Sequence, residues 1–151
     1  MTAMPTIPLD LERGLDGLYE RDEVAWYGAM IELIEQGRTE EVDFANLKEL
    51  LTSMARSDRR EVESRLVVLL AHFLKWQYQP DQRSNSWRLT LEVQKQFLQD
   101  EIDSSGTLRN HAVEILEKAY RKGVRLAVIE TGLPPETFPA ACPVTLDELL
   151  A

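Results

Sequence analysis

Cysteine is almost missing from this chain. A single one, Cys142, in 151 residues excludes an internal disulfide and any cysteine-rich zinc cluster. Histidine is nearly as scarce, with only His72 and His111, whereas catalytic zinc ordinarily takes three protein ligands. No metal site and no cofactor is expected. No apolar run approaches the ~20 residues that a membrane helix needs. The longest, Leu66 to Leu74, is interrupted by His72. A basic stretch followed by an apolar one is missing from the N-terminus, so no secretory signal is predicted and the expected setting is the reducing cytoplasm. There is no glycine-rich phosphate loop, no nucleophile elbow and no His-Glu-x-x-His pair. No residue is therefore assigned a catalytic role. Alternating strand patterns bounded by hairpin turns are absent as well, as are internal repeats.

What is present is an acidic globular composition: 44% hydrophobic, 28% charged, net charge −9. That charge disfavours non-specific binding to nucleic acid or anionic lipid. It is unevenly placed. Residues 1–42 hold ten acids against Arg13, Arg21 and Arg38, while residues 56–96 hold eight bases against five acids. Either the two stretches neutralise each other, or the central one leaves a basic face open to an anionic partner.

Helical spacing dominates the rest and predicts an all-α fold. The expectation is one domain over 1–151, a helical bundle of about five helices, with residues 1–9 a loose arm. The first helix is predicted from about Gly17 to Gln36, with Tyr19, Val24, Trp26, Tyr27, Met30, Ile31 and Ile34 as its apolar stripe and Gly37 as the residue that ends it. Asp43 reads as the N-cap of a second helix that buries Phe44, Leu47, Leu50, Leu51 and Met54. A break is expected near Ser57, because Asp58 and Glu61 form a capping-box pattern. The third helix, from about Arg59 to Gln79, is apolar all round between Leu66 and Leu74, the mark of a central buried helix. Pro80 ends it. Two more helices follow, from about Ser86 to Asp103 and from Leu108 to Thr131. Four of the seven prolines lie beyond Gly132, which predicts a proline-rich C-terminal strap, and Thr145 with Glu148 caps a last short turn.

Chemistry-bearing side chains gather in two places. Arg65, His72 and Trp76 share one face of the third helix, and an arginine on a buried helix needs partners. Asp43, Asn46 and Glu49 are the expected suppliers, on an antiparallel second helix. Such a cluster either fixes helix register or lines a ligand pocket, with His72 as acid, base or metal ligand and Glu49 beside it. Around the following loop, aromatic and basic residues alternate: Lys75, Trp76, Tyr78, Arg83, Trp87, Arg88. Such a set stacks on bases or holds phosphate, or simply anchors helices. Cys142 lies in the apolar tail without an adjacent base and reads as a packing residue, and His111 as a surface one.

The chain resembles, from Tyr19 to Leu150, the bacterial family known as domain of unknown function 29. Tyr19-x-x-Asp22 with Trp26, Asp43-x-x-Asn46-Leu47-x-Glu49 and Ser53-Met54 carry the first part of the resemblance. Ser64-Arg65-Leu66, His72-x-Leu74-Lys75-Trp76, Gln79-Pro80 and Ser86-Trp87-Arg88 carry the centre, and Glu130-Thr131-Gly132-Leu133, Phe138-Pro139 and Cys142-Pro143 the tail. It implies an all-helical domain and no activity. Leu50 and Thr52 stand where the family tends to continue an acidic run. Two functions remain in view. The first is a non-enzymatic interaction domain that self-associates or binds a protein partner. The second is a small-molecule or nucleotide-binding protein, possibly an enzyme, with its site among Glu49, Arg65, His72, Trp76, Arg83, Trp87 and Arg88.

Overall fold

A computed structural model describes residues 14–151, and the predicted arm over residues 1–9 lies outside them. The described residues are all-α, without a strand. Six helices follow one another: α1 (Leu18–Arg21), α2 (Glu23–Glu35), α3 (Phe44–Tyr78), α4 (Asn85–Ser104), α5 (Gly106–Thr131) and α6 (Leu146–Leu150). They fall into two compact units, one ending at Met54 and the other beginning at Ala55.

The predicted first helix is two. Asp22 leaves helical geometry, at φ −155° and ψ 88°, and its carboxylate accepts the Ala25 amide at 3.1 Å. An aspartate that satisfies an orphan amide starts α2 afresh. Gly37 ends α2 as expected, in the left-handed region at φ 70°, while the Arg38 amide reaches back to the Leu33 carbonyl.

The predicted second and third helices are one. No break occurs at Ser57, and α3 runs unbroken for 35 residues. Neither glycine nor proline occurs between Phe44 and Gln79, and a serine or aspartate inside a helix costs only a few tenths of a kcal/mol beyond better formers. Glu61 does not cap anything; it pairs with Arg65 one turn on, at 2.9 Å. From Leu51 to Glu61 every residue is exposed.

In the first unit Leu18, Trp26, Ala29, Met30, Leu33 and Val42 form the core, with Leu47 and Leu50 against it. In the second, α3, α4 and α5 pack together. Val62, Leu66, Leu69, Leu70 and Leu74 of α3 meet Leu98 and Ile102 of α4 and Ala112, Ala119, Tyr120 and Ala127 of α5. No residue from Arg65 to Trp76 is exposed. Glu63 pairs with Lys118 and Lys122, Gly123 lies against Leu70 and Ala71, and Lys75 pairs with Glu130, so α5 runs parallel to α3. α4 runs antiparallel to it, because Arg65 covers Phe97 while Lys75 covers Trp87. After α5, Phe138 is buried against Tyr78, and the Tyr120 hydroxyl donates to the Pro139 carbonyl at 2.6 Å. Burial pushes that phenol up to about 12. Thr145 and Glu148 form the predicted capping box, and Leu146 and Leu149 close the core.

Candidate functional site

The second helix of the first unit carries the feature that most needs an account. α2 is apolar on two sides. Trp26, Ala29, Met30 and Leu33 form one face and are buried. Val24, Tyr27, Ile31 and Ile34 form another, centred about 130° away at 100° per residue. That second face is open: Val24 is 67% exposed, Ile31 41% and Ile34 55%, with Tyr27 also exposed. The apolar stripe expected from spacing is therefore split between a buried and an exposed face. The first unit buries only the Trp26 side.

The Trp26 side is held in place. The indole Nε1–H of Trp26 donates to Asp43 Oδ2 at 3.2 Å, and the Asp43 amide donates to the Met30 sulfur at 3.3 Å. Tyr19 packs edge-on against Trp26 at 4.9 Å between centroids. Asp43 also accepts from the Asn46 side chain and amide, at 2.7 and 3.2 Å, as the predicted cap of α3. The Asn46 side chain, opposed by desolvation, is the main reason its carboxyl lies below the usual aspartate range. With α2 pinned through these contacts, its Val24–Ile34 face cannot turn inward.

The exposed face has heptad spacing. Val24, Tyr27, Ile31 and Ile34 stand at i, i+3, i+7 and i+10, the positions of a helix-docking seam about 15 Å long. Glu23 borders it on one side and Glu35 on the other, and α2 contains no lysine or arginine. Tyr27 donates its hydroxyl to Glu23 at 2.5 Å, and that bond is the first cause of its raised pKa. The beginning of α3 adds Phe44, Leu51 and Met54, all more than half exposed and again at heptad spacing. Helical spacing predicts all three as buried, but only Leu47 and Leu50 meet the core.

None of the residues singled out from sequence belongs to this face. Glu49 belongs to the first unit and is exposed; the other six belong to the second. The expected antiparallel packing of Asp43, Asn46 and Glu49 against Arg65 does not form, since all but the capping Asp43 lie on one continuous helix with Arg65. Arg65 pairs with Glu61, bonds Gln94 at 3.3 Å and lies 4.2 Å above the Phe97 ring. His72 donates its Nδ1–H to the Val68 carbonyl at 3.0 Å. Arg83 covers Trp76 at 4.8 Å and bonds its carbonyl at 2.8 Å. Lys75, only 8% exposed, sits between Glu130 at 2.7 Å and the Trp87 ring at 4.5 Å. Arg88 is exposed. Trp76 and Trp87 are thus each stacked with a cation of the chain itself. A cleft of about 520 Å³ in this unit is lined by Arg60, Glu63, Ser64, Val67 and Lys122, none of them among the residues expected.

Among the described residues no three of histidine, cysteine, aspartate and glutamate come together as a metal site. His111 is half-buried rather than superficial, and its Nε2 has no partner. Cys142 packs as expected. Its amide donates to Glu117, its Sγ–H faces the Val144 carbonyl, and burial pushes the thiol up.

No described helix is long and apolar enough to cross a membrane. No curated protein and no solved structure matches the chain. One family model does, over residues 18–151, and the chain belongs to that family, the Domain of unknown function DUF29.

Proposed function

We propose that this chain is a non-enzymatic helical interaction domain, and that it works by docking one amphipathic helix of a protein partner against the outer face of α2. The observation that carries the reading is the open seam of Val24, Tyr27, Ile31 and Ile34 on a helix whose opposite face is already used. Fully burying an isoleucine is worth roughly 1.5–3 kcal/mol. Ile31 and Ile34 are about half exposed, so each leaves on the order of 1 kcal/mol ungained in the free chain. Scattered apolar residues on a surface mean little; four in one heptad register mark a partner site. We read the second unit as a bundle around the buried stretch of α3, closed by the proline-rich segment.

A displayed library of amphipathic helices tests this. It is selected on wild-type protein and counter-selected on the I31D/I34D double variant, both positions being exposed so that the fold is kept. Peptides that bind the wild type at micromolar Kd and lose the double variant are the expected result. Recovery of no binder, or of binders indifferent to the two substitutions, would refute the reading.

A further inference from the structure

From the charge around the seam we infer the chemistry of the helix that fills it: a cationic amphipathic helix from another protein, with lysine or arginine beside its apolar stripe. This rests on the docking reading above and adds the class of partner. In heptad terms Val24 and Ile31 take the a positions and Tyr27 and Ile34 the d positions. Glu23 then falls on a g position and Glu35 on an e position. Those are the positions whose charges meet the partner helix and decide which partner is accepted. Both are acidic, and Glu32 lies just beyond Glu35 on the same side.

Among the described residues neither Glu23 nor Glu35 forms an ion pair. Across residues 14–42 eight acids face two arginines, Arg21 and Arg38. Arg38 is held by Glu41, at 2.7 Å, and Arg21 bonds the Asp16 carbonyl. The Glu23 carboxylate accepts the Tyr27 hydroxyl through one oxygen, which leaves the other for a partner.

A second copy of the chain is the competing occupant, and the same charges act against it. α2 contains glutamates but no lysine or arginine, so a second α2 offers Glu23 and Glu35 no cation in either orientation and adds its own negative charge. Like charges placed across an interface are the usual means of rejecting a partner. A helix with cations at the facing positions instead forms ion pairs with Glu23 and Glu35 along an apolar seam.

Three synthetic helices test the inference, identical in apolar face and differing only in the flanking residues: lysine, glutamine or glutamate. Each is titrated into the full-length chain at about 20 and 200 mM salt, where screening differs severalfold. The lysine helix should bind at least about tenfold tighter than the glutamine helix at low salt, with the gap closing at high salt. The E23Q/E35Q variant should close the gap as well, while the glutamine helix keeps its affinity. Equal affinity of the lysine and glutamine helices, with both lost on I31D, would overturn the charge inference and leave the docking reading standing. Binding of none of the three would overturn both. A concentration-dependent dimer abolished by I31D would identify a second copy as the occupant and overturn the inference.

Discussion

Gly123 sits where α5 crosses α3, and replacing it with alanine sets two known effects against each other. Glycine inside a helix is about 1 kcal/mol worse than alanine. On propensity alone G123A stabilises. The structure argues otherwise: a Cβ at this position would lie 3.1 Å from Leu70 Cβ, 3.2 Å from the Ala71 nitrogen and 3.4 Å from the Val67 oxygen. Carbon atoms rest comfortably at about 3.5–4.0 Å. Two of the three neighbours are backbone atoms of α3 and cannot rotate away, so α5 must shift by a few tenths of an ångström. Leu70 and Ala71 are buried, and overpacking in such surroundings costs about 1–3 kcal/mol. The net expectation is a loss of about 1 kcal/mol, which is about 4–8 °C for a unit of this size. The assay is thermal and urea unfolding in a W26F background, where the remaining tryptophans, Trp76 and Trp87, both report on the second unit. N110A, at an exposed position of the same helix, supplies the propensity effect alone and should stabilise by a few tenths of a kcal/mol. A G123A protein more stable than the wild type would refute the close crossing of α3 and α5.

Two further substitutions probe the ties that hold each unit. D43A removes the cap of α3 and the acceptor of the Trp26 indole together, and should destabilise the first unit by about 1–2 kcal/mol; Trp26 fluorescence during urea unfolding checks it, and D43N should recover part of the loss. Glu63, with a side chain 19% exposed, bonds Lys122 at 2.5 Å and Lys118 at 3.2 Å. The Lys122 hydrogen bond is the largest cause of its lowered carboxyl pKa. A carboxyl whose folded pKa is lowered stabilises fully above its unfolded pKa of about 4.3, and that stabilisation is lost as pH falls through the folded value. E63Q should therefore cost about 1 kcal/mol at pH 7, and in parallel urea titrations wild type and variant should converge as pH falls from about 4.3 through the lower folded value.

The sequence disclosed periodicity and ends far better than it disclosed partners. The all-α class, a stretch from Leu66 to Leu74 with no exposed residue, the Asp43 cap, the Gly37 terminus and the Thr145–Glu148 box all stand in the structure. Each is local chemistry, written within a few residues. The break expected at Ser57 failed because a capping pattern only permits a helix start; nothing there compels the preceding helix to stop. Asp22 shows the converse, since a single aspartate did interrupt a continuous apolar pattern. Neither residue announces which of the two will happen.

The candidate site was legible in one respect and hidden in another. Val24, Tyr27, Ile31 and Ile34 were read from spacing as apolar and helical, which they are. Helical spacing alone does not distinguish a face that meets the chain's own core from one kept for another molecule. The available signal was excess: α2 carries more apolar residues around its circumference than a helix with one buried face requires. For Arg65, Trp76 and Trp87 the difficulty was the reverse. Aromatic and basic residues in alternation look alike whether they await a ligand or stack on one another, and here Arg83 and Lys75 already cover the two indoles.

The central claim is that the outer face of α2 receives a helix, and methyl-resolved NMR of the full-length chain during titration with the lysine-flanked peptide tests it most directly. The account predicts saturable shifts of the Val24, Ile31 and Ile34 methyls, with the buried Leu66, Leu69 and Leu70 methyls unmoved. Saturable shifts confined to the second unit, with those three methyls silent, would contradict it.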